Sequence, residues 1–257
     1  MKLYLKFLSI HLRSAMTYRA SFFLSCLGHL LITTNVFLSV VFLLDRFGSL
    51  GGYTMPQLSL CYAVILAATS LAECFGRGFD AFTRILAQAQ FDRIMVRPRS
   101  LFFQVLCQDM KPTMLARLLQ AVLMLAWAIP SGAVAWTPVK ALTLALMILC
   151  GAGIFFGLFL INAAVCFFTL EHVEALNIFL DGPREYGKYP FGIYGKPVLI
   201  ILTFLVPLAL VQHWPLQYLF GRGPAWYGLL PIVSLVFLIP CGLLWRLGVR
   251  HYRSTGS

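Results

Sequence analysis

Residues 139–169 form an apolar run in which Lys140 is the only formally charged side chain. A helix that crosses the ~30 Å hydrocarbon core of a bilayer needs about 20 mainly apolar residues. This run is long enough to cross and then to tilt or project beyond the bilayer. Further apolar runs cover 21–44, 55–74, 112–129, 197–212 and 227–246. Together they predict an all-α integral membrane protein with six transmembrane helices. Composition agrees: 60% of the 257 residues are hydrophobic and 11% are charged, too few charges to clothe a water-facing surface.

The segments outside these runs predict how the spans are laid through the membrane. Residues 1–20 place Lys2, Lys6, Arg13 and Arg19 among Leu3, Phe7 and Ile10, which recur at helical spacing. That pattern predicts an amphipathic helix on the membrane surface. A cleaved secretory signal would have an apolar core of only about 7–15 residues, whereas here the apolar run continues to Leu44. Basic residues concentrate in alternate loops. With both termini in the cytoplasm, sixteen of the twenty Lys and Arg fall on the cytoplasmic side. Arg46, Lys140 and Arg222 fall on the other side, and Arg117 lies inside the third run. Lys and Arg are retained on the cytoplasmic side, so six spans and cytoplasmic termini support one another. The 21–250 region is then one six-span unit, and 251–257 is a short cytoplasmic tail.

The net charge of +11 does not point to nucleic acid, because the basic residues are dispersed between spans rather than gathered on one water-facing surface. The seven cysteines include no CxxC pair, so neither a disulfide framework nor a zinc site is indicated. No metal or cofactor site is expected in this chain. Gly195-Lys196 precedes a proline and lacks the upstream glycine of a phosphate-binding loop. Glu171, His172 and Glu174 suggest an intramembrane hydrolase less readily than a solvated helix end. All nine acids lie at span ends or in polar stretches, which leaves no intramembrane proton relay. Asn35 and Asn162 are polar residues at membrane depth that suit either a transport path or interhelical hydrogen bonds. Gly153 and Gly157 form a GxxxG pattern that permits close helix approach, or else mark only a pair of small residues.

Residues 75–111 hold more charge than any other stretch of similar length. Within 78–90, Phe79, Phe82, Ile85, Leu86 and Ala89 recur at helical spacing, with Asp80 and Arg84 among them. This predicts a short amphipathic helix on the cytoplasmic face between spans two and three. The following segment, QFDRIMVRPRS (90–100), carries Arg93, Arg97 and Arg99. Pro98 should end any helix at or before Arg97 and set the chain direction.

The chain resembles permease subunits of the type-2 ATP-binding-cassette (ABC) exporter family, in its bacterial branch of permeases of unknown function. The resemblance rests on the amphipathic start, the six spans, FDRIMVRPRSLFFQ (91–104) and YPFGIY (189–194). It also rests on FLVPL (204–208) within span five, followed by HWPLQYL (213–219). It implies a subunit of a bacterial inner-membrane transporter that binds no ATP itself. ATP and Mg would sit on separate ABC ATPase subunits, and a second permease chain, the same or related, would complete the pathway. The helix between spans two and three would meet the ATPase, which nominates Phe79, Asp80, Phe82, Arg84, Arg93, Arg97 and Pro98. The 213–225 stretch would be a half-buried external hairpin. The resemblance implies export, and apolar pathway walls would suit a lipid, drug, peptide or glycolipid. The competing reading is a non-transporting membrane scaffold that recruits a soluble partner through its basic loops.

Overall fold

A computed structural model describes residues 2–48, 51–169 and 182–252. All regular structure among them is helical. Helix α1 (Lys2–Ala15) leads through a 3-10 turn into α2 (Arg19–Phe47), with the axis broken at Tyr18 (φ −108°, ψ 75°). Helix α3 (Met55–Gly76) begins at a capping box in which Thr54 and Gln57 satisfy each other's free groups, the Thr54 N–H donating to Gln57 Oε1 at 3.2 Å. Helix α7 (Leu115–Ala128) follows a 3-10 turn at Pro112–Met114. Helix α8 (Pro138–Thr169) has 32 residues, or about 48 Å at 1.5 Å per residue, well beyond the hydrocarbon thickness.

Four helical stretches are long and apolar enough to cross a membrane: Leu3–Arg46, Met55–Gly76, Pro138–Thr169 and Ala225–His251. Pro112–Ala128 is a shorter apolar helix. α3 and α8 pack against each other at the centre, with α7 on the far side of α3. The Ala225–His251 stretch lies against α8. α3 is buried almost all round, as a helix apolar on every side must be. Its buried hydroxyls are satisfied locally, Ser59 donating to the Met55 carbonyl at 2.8 Å and Ser70 to Leu66 at 2.6 Å. α2 contributes little to the core: Phe23, Leu24, Leu27, Leu31 and Phe42 are all exposed.

Both termini lie at one end of the bundle. Tyr4 donates to the Phe75 carbonyl at 2.9 Å, His11 Nε2–H donates to Cys107 O at 3.0 Å, and Tyr252 donates to Asp92 Oδ1 at 3.1 Å. The opposite end carries the α2–α3 turn, where Gln217 donates to Tyr53 Oη at 2.9 Å and Arg222 to the Gly52 carbonyl at 3.2 Å.

The fifth expected span, 197–212, is not a continuous helix. α10 (Lys196–Phe204) has nine residues, about 14 Å, which cannot cross a bilayer. Pro207 supplies no N–H and disfavours helical geometry at Val206, so the helix stops before it. The chain then doubles back, with Ala209 N–H donating to the Leu202 carbonyl at 2.8 Å, and α11 (His213–Leu219) follows. The preceding polar stretch also differs from expectation. Tyr189 packs beside Val40, Leu44 and Tyr53, and Ile193 lies beside Gly51, so this part sits at the end away from the termini. Lys188 and Lys196 accordingly leave the basic set grouped with the termini. α9 (Gly182–Tyr186) is the first described element of that stretch. Glu171, His172 and Glu174 lie outside the described residues, as does the tail beyond Tyr252.

In the last stretch, 3-10 turns at Ala225–Leu229 and Leu235–Phe237 interrupt α12 (Leu230–Ser234) and α13 (Leu238–His251). Pro231 and Pro240 remove two backbone donors there, which explains the uneven winding.

Candidate functional site

The segment leaving α3 is not one helix over 78–90. It forms α4 (Phe82–Ala87), then α5 (Gln90–Met95), joined at Ala89 with φ +50° and ψ 26°. A residue with a Cβ is disfavoured at positive φ, so Ala89 divides what its sequence would continue. α5 ends before Arg97, as Pro98 requires, and α6 (Leu101–Leu106) returns the chain to α7.

Helical spacing identified the apolar face of this segment but not the direction it faces. Phe79 and Phe82 are fully buried, so neither can touch a soluble partner in this conformation. Phe82 meets Phe91, Phe167 and Trp245 with ring centroids 5.3, 4.9 and 5.2 Å away. Phe79 meets Phe156 and Trp245 at 5.5 and 5.1 Å. Edge-to-face geometry dominates these contacts and adds about 0.5–1.5 kcal/mol per pair beyond area burial. The α4–α5 pair is thereby fastened to α8 and α13.

The exposed side presents Arg84, Arg93, Arg97 and Pro98, together with Met95, Val96 and Arg99. Val96 is 86% exposed, an apolar tip with the exposed Arg93, Arg97 and Arg99 close to it in sequence. The sequence reading missed Met95 and Val96, since an isolated apolar pair beside arginines carries no periodic signal. Asp80 is half-buried and pairs with Arg77 at 3.6 Å. Burial, with Arg77 second, lowers the pKa of Lys111 below the ordinary lysine value.

The other nominated residues separate. Gly153 and Gly157 face the last helical stretch of the same chain. A Cβ on Gly157 would lie 3.1 Å from Leu238, 3.2 Å from Cys241 and 3.2 Å from Phe237. The GxxxG pattern therefore serves internal packing of α8. Asn162 donates to the Asp80 carbonyl at 3.5 Å, while its buried Oδ1 has no partner. It lines an apolar cavity of about 620 Å³ with Phe204, Val206, Phe237 and Leu244. Asn35 is exposed on α2, remote from that cavity.

Two polar groupings were not anticipated. Arg117, the cation left inside the third apolar run, donates to Glu73 Oε2 at 2.8 Å, with side-chain exposures of 17% and 2%. Gln212 is fully buried and donates to the Gly187 carbonyl and to Cys61 Sγ, the latter at 2.7 Å, fastening the 187–189 segment to α3. Among the described residues no three His, Cys, Asp or Glu side chains gather as a metal site.

No curated protein and no solved structure matches the chain. A family model described as "ABC-2 family transporter protein" matches residues 30–256, nearly the whole length. A multi-pass helical bundle matched over that length makes the chain a membrane protein of the ABC-2 transporter family.

Proposed function

We propose that this chain is the permease subunit of an ATP-driven exporter in a bacterial inner membrane, with ATP hydrolysed by a separate ABC ATPase. The observation that carries the reading is the exposed Arg84–Arg99 tip joined to an aromatic cluster shared by α8 and α13. A partner pressing on Val96 and its arginines would displace two membrane helices together. Family membership supports the same partnership, since ABC-2 permeases work with ABC ATPases. Arg77, Arg84, Arg93, Arg97, Arg99, Arg246 and Arg250 gather at the terminal end, which supports cytoplasmic termini. The uncovered face of α2 is where a second permease chain, the same or related, would sit. The cargo is hydrophobic or amphipathic, as the apolar cavity beside Asn162 suggests.

The mechanism has two packings. ATP binding draws two ATPase subunits together and moves the α4–α5 tips, and the aromatic cluster transmits the displacement to α8 and α13. A cognate ABC ATPase should co-purify with the chain and hydrolyse ATP faster in its presence. Arg93→Glu with Arg97→Glu should abolish both effects without changing thermal stability. Transport by the chain alone, or ATPase stimulation that survives the charge reversals, refutes the coupling. Stable ATPase binding with no substrate movement in proteoliposomes would favour a scaffold.

A further inference from the structure

The Glu73–Arg117 pair borders a cavity of about 240 Å³ between α2, α3 and α7. Its two partners are placed unequally. Glu73 is buried behind the arginine and does not line the cavity, whereas Arg117 does. The guanidinium uses Nη1 on Glu73, and its Nε–H is buried without a hydrogen-bond partner. A guanidinium presents five N–H donors in a planar fork, so one spent on Glu73 leaves others for the oxygens of a phosphate or carboxylate. His29, Thr33 and Thr69 add polar lining near it, while Ile32 and Leu66 supply apolar wall. Glu185 and Lys188 also line it and form an ion pair with each other, so their charges offset.

The mouth is on the α2 side, where Ile32 is 65% exposed and Leu31 beside it 61% exposed. A ligand entering there meets the arginine with its polar end and leaves an apolar tail along α2. The cavity is too small for a whole lipid but large enough for a headgroup. The acid lies behind and the base in front, so a cation would meet Arg117 before it could reach Glu73.

We infer that this cavity binds the anionic headgroup of an amphiphile, a phosphate or carboxylate held by the Arg117 guanidinium where it lines the cavity, with its acyl chain over Ile32. The inference does not depend on ATP-driven transport, because binding is measured on the chain alone. Purified full-length chain in a non-ionic detergent is titrated with dansyl-labelled lysophosphatidylglycerol and followed by fluorescence anisotropy. Saturable binding is expected, at least tenfold tighter than for lysophosphatidylcholine. Millimolar inorganic phosphate should not displace the lipid, which separates an amphiphile from a free anion. Arg117→Lys keeps a cation for Glu73 but removes the fork, and should weaken binding about tenfold. Glu73→Gln frees the whole guanidinium and should tighten it. Ile32→Trp narrows the mouth from an exposed position on α2 without touching the ion pair, and should also block binding. That variant tests the inference even if Arg117→Lys does not fold. Equal affinity for the two lysolipids, full displacement by phosphate, or unchanged binding in Ile32→Trp overturns it.

Discussion

Replacing Gly78 by alanine tests how tightly the exit from α3 is fixed. A Cβ on Gly78 would lie 2.0 Å from the carbonyl oxygen of Val105 and 3.0 Å from that of Leu106. Gly78 does not have a positive φ, so the requirement is space rather than conformational freedom. To restore an ordinary contact of 3.4 Å, the Val105 carbonyl must retreat by roughly 1.4 Å. The obstacle is backbone, which cannot rotate aside as a side chain can. Overpacking of this kind costs about 1–3 kcal/mol, and a backbone obstacle places Gly78→Ala near the upper figure. About 2–4 °C per kcal/mol then gives a thermal midpoint roughly 6–12 °C lower in detergent, read by intrinsic tryptophan fluorescence. Gly28→Ala is the control, since nothing lies within 4 Å of its Cβ. Alanine within a helix should leave that variant unchanged or about 0.5–1 kcal/mol more stable. Equal midpoints for the two variants would refute the close approach of α6 to Gly78.

Three further outcomes follow from burial and bonding. Phe82→Ala removes a fully buried ring and should cost about 3–5 kcal/mol, measured by the same thermal assay. Arg117→Gln removes the cation 2.8 Å from the buried Glu73 carboxylate and should cost about 3–5 kcal/mol; the Glu73→Gln, Arg117→Gln double variant should recover more than half of that loss. Gln212→Leu removes the amide donor to the Gly187 carbonyl and leaves it only the longer Cys61 thiol contact at 3.9 Å, which should cost about 1–3 kcal/mol and speed maleimide labelling of Cys61 in membranes.

Long apolar runs make four crossing helices plain from composition, because the bilayer tests length and hydropathy directly. Other features needed information that a linear reading lacks. Pro207 is one residue in an apolar run, yet its missing donor ends α10 and reverses the chain. The period of Phe79, Phe82 and Ile85 correctly marked an apolar face, but the same period fits a face turned toward a partner or toward the bundle. Only Phe167 and Trp245, distant in sequence, decide between them. Arg117 stood out as a charge inside an apolar run. Its partner, Glu73, belongs to another helix and looked like an ordinary helix end. Gln212 in turn lies at the end of the expected fifth span, where nothing local marks it as a buried donor.

The ion pair also sets an order of events during synthesis. α3 leaves the ribosome with Glu73 near its end, while Arg117 lies 44 residues further along the chain. Until α7 emerges, that carboxylate lacks the guanidinium that faces it in the finished bundle. Near the end of α3 it can stay at headgroup depth, where the ~2.5–3.5 kcal/mol cost of an acidic residue at the centre of a span does not apply in full. The first helix can enter the bilayer alone, since its apolar surface needs no companion. The ion pair between α3 and α7 therefore closes late, only once Arg117 has followed its helix into the membrane.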